Sequence, residues 1–188
     1  MNARMAVAML MALALGGCLG TPKESFYTLA APPTAATTSA SGLAIFVGPV
    51  VVPEAVDRTP MVVRTAPNRV DIDDFHRWAE PLKTAIPRVL AENLARELGT
   101  ARVMASRASV APVDYKVAVE IQRFDSSLTE GATLDALWTV TATKSGIAPR
   151  TGRTTVTEPA ASPDHAGVAA AHSRAIARMA AEIAATLR

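Results

Sequence analysis

Residues that could act as acids, bases or metal ligands gather in one short stretch of the chain: Asp71, Asp73, Asp74 and His76. A carboxylate beside an imidazole can orient a general base, and several carboxylates can bind a divalent cation. The spacing fits no EF-hand loop, so we interpret the three aspartates as a solvated turn. For His76, a structural or interface role is then more typical than catalysis. An enzyme that uses His76 with Asp73 or Asp74 stays open as an alternative.

Few other residues could take part in catalysis or bind a metal. His165 and His172 lie seven positions apart near one face of a predicted helix, and without a third ligand we expect them at the surface or half-buried. Cys18 is the only cysteine, which excludes an internal disulfide and zinc sites of the Cys₄ or Cys₂His₂ type. The sequence has no Gly-x-Ser-x-Gly elbow and no phosphate-binding glycine loop. We therefore predict no catalytic residue, no metal, no cofactor and no enzyme activity.

The N-terminus has the pattern of a bacterial lipoprotein signal. Arg4 supplies a positive charge, residues 5–15 are apolar, and Leu15-Gly16-Gly17-Cys18 fits a lipobox. The apolar run is too short for a transmembrane helix, which needs about 20 residues. Residues 1–17 are predicted to be a cleaved signal peptide, and Cys18 to carry diacylglycerol and an N-terminal acyl chain such as palmitate. An ordinary secretory signal with a chance cysteine is the alternative.

The residue after the cysteine bears on the target membrane. It is Leu19, whereas an aspartate there would signal retention in the inner membrane of enteric-type bacteria. We therefore expect an outer-membrane lipid anchor, with the protein facing the periplasm.

Composition predicts one domain with an aliphatic core. A chain of 188 residues allows a single ordinary domain, and 49% of its residues are hydrophobic while only 4% are aromatic. Lys and Arg number 19 against 17 acidic residues, without any basic run. This balance excludes a dedicated nucleic-acid binder.

The pattern of elements predicts a single α+β domain, a mostly antiparallel sheet packed by two main helices, over residues 42–188. Residues 18–41 are expected to form a lipidated tether, in which residues 26–29 make an edge strand of the same domain. Residues 43–52 suit a strand covered on both faces that bends at Pro49. A hairpin is predicted over residues 61–72.

Two helices and a meander complete this prediction. Apolar residues at steps of three and four indicate a helix within residues 80–98 that ends at Gly99; it starts near Thr84 or is kinked at Pro87. Alternating patterns predict three antiparallel strands over residues 114–124, 133–143 and 151–157. A last helix is expected to begin with Ser162 as N-cap and Pro163 as the first helical residue.

The stretch just before the first helix concentrates residue types that are enriched at protein interfaces. We predict a partner-binding segment that consists of Phe75, His76, Arg77, Trp78, Glu80 and Pro81. The alternative is a core plug, in which Phe75 and Trp78 fill the gap between helix and sheet, and both roles can hold together. Either way, Trp78→Ala is expected to weaken folding or docking.

Several motifs resemble the family of ABC-type transport auxiliary lipoproteins, which includes PqiC-like intermembrane transport lipoproteins. The resemblance covers residues 18–99 well and the rest only in the order of elements, and Pro87 departs from the family pattern. It is carried by Phe26-Tyr27-Thr28-Leu29, Val47-Gly48-Pro49-Val50, Pro53-Glu54-Ala55-Val56-Asp57-Arg58, Val63-Arg64-Thr65, Asn68, Phe75-His76-Arg77-Trp78-Ala79-Glu80-Pro81-Leu82 and Val89-Leu90-Ala91-Glu92-Asn93-Leu94.

The resemblance implies a non-enzymatic component of a lipid transport system, in which a permease, an ATPase and an MCE-domain protein move hydrophobic molecules between two membranes. Such a lipoprotein would dock to the periplasmic end of the MCE-domain protein and could assemble as a homo-oligomeric ring. A structural envelope adaptor without a transport role shares every feature except the family motifs.

Overall fold

The computed structural model describes residues 23–32, 42–105 and 112–188, so Cys18 and the predicted signal peptide lie outside the described residues. The described chain forms eight strands and two helices. In chain order these are β1 (Ser25–Tyr27), β2 (Ile45–Val51), β3 (Pro60–Ala66), β4 (Arg69–Trp78), α1 (Leu82–Leu98), β5 (Val103–Met104), β6 (Tyr115–Ser127), β7 (Gly131–Ala142), β8 (Arg150–Glu158) and α2 (His165–Ala185).

All eight strands belong to one mixed sheet that is organised around the long strand β6. One edge of β6 pairs with β7, which pairs with β8, and this antiparallel meander confirms the prediction. The other edge of β6 pairs in parallel with β2 and, near its end, with β3. Parallel pairs also join β1 to β4 and β2 to β5. The sheet is therefore mixed and not purely antiparallel, its longest ladders are the antiparallel ones, and the predicted α+β class is confirmed.

Both helices pack against the sheet and against each other. Every residue of the two apolar stripes that predicted them is buried, since a helix hides the face that repeats every three or four residues. In α1 these are Leu82, Ile86, Val89, Leu90, Leu94 and Leu98. In α2 they are Val168, Ala171, Ala175, Ile176, Met179 and Ile183, followed by Leu187 just beyond the end of the helix. Neither described helix combines the length and apolarity that a bilayer crossing requires.

The first helix lies within the predicted residues 80–98. It starts at Leu82, so the alternative of a start near Thr84 is wrong, and Pro87 lies in its second turn. Proline leaves one carbonyl of the preceding turn without its amide partner. That carbonyl belongs to Lys83, an exposed residue, so water can replace the missing donor. Gly99 ends the helix in a left-handed conformation, φ 61° and ψ 36°, as expected.

The N-cap of α2 is Asp164, not Ser162. Asp164 Oδ1 accepts a hydrogen bond from the Gly167 amide at 2.7 Å, and the Ser162 hydroxyl donates to the same oxygen at 2.9 Å. A carboxylate is the better partner for the positive end of a helix, which explains the shift. As a result, His165 is the first residue of the helix.

Strand β2 differs from the prediction in its second half. Ile45 and Val47 are buried, but Val51 is 56% exposed, so the strand is not covered on both faces throughout. The pairing register with β6 shifts between Val47 and Val50, which confirms the expected irregularity at Pro49.

The N-terminal segment docks on the domain, as its aromatic residues predicted. β1 pairs with the end of β4, and Leu29 is buried. The Ala30 amide donates to the Ser173 hydroxyl at 3.2 Å, and Arg88 donates to the Leu29 carbonyl at 3.2 Å. Residues 23–32 thus reach across both helices.

Substitution of Gly152 tests the packing of β8. A Cβ added to Gly152 would lie 2.1 Å from the ring of Trp138, whereas one on Gly42 would meet nothing within 4 Å. We expect Gly152→Ala to lower the free energy of unfolding by about 1–3 kcal/mol, because overpacking forces the ring aside. Urea denaturation checks this, with Gly42→Ala as the control. Equal stability of the two variants would contradict the packing.

Candidate functional site

The acidic stretch lies in strand β4, not in a solvated turn. Met61 of β3 pairs with Asp73, but Pro60 pairs with Arg77, so residues 74–76 form a bulge without counterparts on β3. Asp73 Oδ1 accepts the amide protons of Phe75 at 3.0 Å and of His76 at 3.2 Å. The carboxylate therefore replaces the missing ladder contacts and fixes the bulge.

The bulge brings Asp73 and His76 against the start of α2, where they meet His165. His76 Nδ1 lies 2.9 Å from Asp73 Oδ2, and His165 Nε2 lies 3.3 Å from the same oxygen. The two imidazole rings stack at 3.8 Å with an interplanar angle of 8°. Tyr27 of β1 lies near both rings, with centroids 5.8 and 6.1 Å away. We call Tyr27, Asp73, His76 and His165 the histidine cluster.

Burial and hydrogen bonding set the charges of the cluster. Burial lowers the pKa of His165, the charge of His76 lowers it further, and Asp73 and Asp164 oppose this. For Asp73, burial acts to raise the pKa, but the hydrogen bonds from the His76 ring and the Phe75 amide outweigh it, so the pKa is lowered. A neutral His165 can stack on His76 without charge repulsion.

The cluster has the donor set of a metal site but not its ring orientation. Its three ligand atoms all lie within 4.8 Å of one another. Zinc bonds of about 2.0–2.1 Å place tetrahedral ligands about 3.3 Å apart, close to the observed spacing. An ion must also lie near the plane of each imidazole that binds it, and two parallel rings 3.8 Å apart share no such point. Of the two rings, only that of His76 makes a hydrogen bond to Asp73.

The Asp73–His76 contact also has the geometry by which a carboxylate orients an imidazole base. Such a base acts on a nucleophile or on a bound substrate. Within residues 23–32, 42–105 and 112–188, no hydroxyl group donates a hydrogen bond to His76 or His165. The contacts seen here hold the two rings in place between β4 and α2.

The predicted partner-binding segment divides into exposed and buried members. Phe75 is 42% exposed, and Arg77 reaches Glu24 of the N-terminal segment at 3.2 Å. Trp78 is only 3% exposed and fills the core. The alternative of a core plug is thus correct for Trp78 and wrong for Phe75. His76 belongs to the histidine cluster, Glu80 pairs with Arg88, and exposed Pro81 precedes α1.

His172 is fully buried beside Trp78, which contradicts the expected surface position. Its ring stacks on Phe124 at 3.8 Å, meets Trp78 edge-on at 6.1 Å, and its Nε2 lies 2.9 Å from the Ser126 hydroxyl. Burial lowers the pKa of His172 to about 3, so the imidazole is neutral at neutral pH. One signal could have revealed this: His172 lies four residues after Val168, on the apolar stripe.

Comparison with known families decides the identity of the chain. Residues 27–184, from β1 to the end of α2, match the family described as ABC-type transport auxiliary lipoprotein component. The chain belongs to this family. The match extends through the meander and α2, where the sequence motifs alone were looser.

Solved structures share the fold of this auxiliary lipoprotein. One uncharacterised protein has a TM-score of 0.73 at 16% identity, covering 88% of this chain and 99% of its own. A protein from Xanthomonas campestris has a TM-score of 0.64 at 22% identity, covering 87% and 94%. At these identities the likeness concerns the fold alone. No curated protein matches the chain.

The buried histidine gives the auxiliary lipoprotein an acid-sensitive fold. As pH falls below 6.5, the ordinary pKa, the unfolded chain protonates His172, while the folded chain does so only near pH 3. Stability is therefore present above pH 6.5 and is lost as pH falls; His165, also lowered, acts in the same direction. Between pH 6.5 and about pH 5, protonation of His172 in the unfolded chain should lower the free energy of unfolding by about 2 kcal/mol. Urea denaturation at several pH values should show a steeper loss for the wild type than for His172→Gln. Parallel slopes would contradict the assignment.

Trp78 and Phe75 form a matched pair for separating core from surface. We expect Trp78→Ala to lower the free energy of unfolding by about 3–5 kcal/mol, because it removes a buried ring from the core. Phe75→Ala removes a half-exposed ring and should cost far less. Denaturation of the purified variants measures both, and a larger loss for Phe75→Ala would refute the division.

Proposed function

We propose that this protein is a non-enzymatic, outer-membrane-anchored lipoprotein component of an MCE/ABC-type intermembrane lipid transport system. It docks to the periplasmic end of the MCE-domain protein. The observation that carries the proposal is the family match over residues 27–184, which makes the chain an auxiliary component of ABC-type transport. The lipobox at Cys18 and the exposed residues of the segment from Phe75 to Pro81 support the finer statements.

The membrane anchor is the diacylglycerol and acyl chain on Cys18. Two or more acyl chains give stable membrane attachment, since each buried CH₂ contributes about 0.8 kcal/mol. Only five positions separate Cys18 from Lys23, the first described residue. The anchor and the domain are therefore close neighbours, with Leu19 favouring the outer membrane.

The docking surface is formed by Phe75, Arg77 and Pro81, with His76 and Glu80 holding it in place from within. Phe75 is exposed, yet its amide is fixed by Asp73, and Arg77 is tied to Glu24. Aromatic and arginine side chains are frequent energetic anchors of interfaces. A surface that is ordered before binding loses less entropy on association, which favours affinity. Several copies could dock together as a homo-oligomeric ring.

Affinity purification from the native membranes in mild detergent, followed by mass spectrometry, tests this function. The wild-type lipoprotein should recover an MCE-domain protein and its ABC subunits. Phe75→Ala should reduce that recovery at least about tenfold, the effect of removing an interface anchor. Leu137→Ala is the control, because Leu137 on β7 is also 42% exposed and should leave recovery unchanged.

The alternatives give different results in the same experiment. Recovery of the lipoprotein alone, at good yield and with other membrane complexes intact, would favour a structural envelope adaptor. An enzyme that uses His76 would lose its activity in His76→Ala while its assembly stayed intact. Equal recovery by Phe75→Ala and Leu137→Ala would move the docking surface away from the segment.

A further inference from the structure

Exposed apolar side chains concentrate along the sheet edge formed by β1 and β4. Seven large apolar residues of the described chain are exposed, and four of them lie on these two strands: Phe26, Val70, Ile72 and Phe75. Val70 and Ile72 are 55% and 48% exposed and lie two residues apart, on one face of β4. They project from the hairpin of β3 and β4, at the opposite end of β4 from Trp78.

The direction of β1 relates this hairpin to the N-terminal anchor. β1 runs parallel to β4, with Ser25 beside His76, so the chain enters β1 from the side of the sheet on which β4 begins. Seven positions separate Cys18 from Ser25, a reach of at most about 25 Å. Seven positions also separate Arg69 from His76, although the bulge shortens this part of β4. The lipid-bearing sulfur of Cys18 must therefore lie within about 25 Å of Ser25, a distance comparable with the length of the hairpin.

We propose that the β3–β4 hairpin lies against the bilayer that holds the anchor, with Val70 and Ile72 in contact with the lipid surface. The proposal rests on the lipidation of Cys18 that forms part of the proposed function. A tethered domain meets the bilayer at a high effective concentration, so a small apolar surface is sufficient for contact. Contact of the hairpin with the bilayer leaves Phe75 and Arg77, which lie farther along β4, free to bind the protein partner.

The charges of the hairpin argue for apolar rather than electrostatic contact. Arg64 pairs with Glu130 at 2.6 Å, and Arg69 with Asp71 at 3.5 Å. Asp74 is exposed and gives the hairpin no attraction to anionic lipids. The contact should therefore depend little on salt, unlike the binding of a basic surface.

Fluorescence quenching in vesicles tests the contact with the full-length, lipidated protein. Cys18 is the only cysteine and its sulfur is blocked by lipid, so a second cysteine can be labelled alone. Ile72→Cys reports on the hairpin. Ile147→Cys is the matched control, because Ile147 is 46% exposed. The β6–β7 turn contacts the hairpin through Glu130 and Arg64. Ile147 follows the other end of β7, so it lies at the opposite end of the sheet from the hairpin.

Both labelled proteins are reconstituted into vesicles of phosphatidylethanolamine and phosphatidylglycerol that contain lipids with a nitroxide near the headgroup. We expect the nitroxide to quench the label at position 72 several-fold more strongly than the label at position 147, with little change in high salt. Thermal unfolding of each labelled variant checks that the fold is intact.

The other outcomes separate this inference from the proposed function. If the protein does not float with the vesicles, the lipidation fails and the inference fails with it. If it floats but the two labels are quenched equally, the hairpin contact is wrong and the anchor stands. If the label at position 72 is shielded from an aqueous quencher without being quenched by the lipids, a protein or a second copy covers the hairpin, which also overturns the proposal.

Discussion

The burial of Trp78 at the end of β4 is the contact on which the arrangement of this protein depends. Its ring lies 6.3 Å from Phe124 of β6 and 6.1 Å from His172 of α2, so it joins the edge of the sheet to the central strand and to a helix. The bulge at residues 74–76 shifts the register of β4 just before this tryptophan. Asp73 holds that bulge, and this explains why a carboxylate lies half-buried there.

Local patterns predicted the parts of the fold that local physics decides. The two helix stripes and the meander follow from periods of 3.6 and 2, which depend on neighbours along the chain. The parallel pairing of β6 with β2 and β3 could not be predicted in this way, because residues of very different sequence position meet there. A single sequence does not record which strands distant along the chain pair with one another.

The same limit applies to the candidate site. Residues 75–78 come directly before a helix, and this position hid that they belong to a strand. Phe75 is exposed, His76 and Arg77 are half-buried to the same degree, and Trp78 is buried. The partnership of His165 with His76 depends on the N-cap. With Ser162 as cap, His165 would belong to the second half of the first turn, but Asp164 makes it the first residue of α2, where it meets β4.

The histidine cluster and His172 show how side chains that could act as acids or bases pack into the fold. His172 exchanges hydration for a stack on Phe124 and a contact with Ser126, and it stays neutral because burial penalises the imidazolium. His76 and His165 stack in the same way beside Asp73. The two histidines of α2 each connect this helix to the sheet, His172 through β6 and His165 through β4. These connections fix the end of the strand that carries Phe75 and Arg77 against α2. A surface held in this way is ordered before any partner binds, and such preorganisation lowers the entropic cost of association.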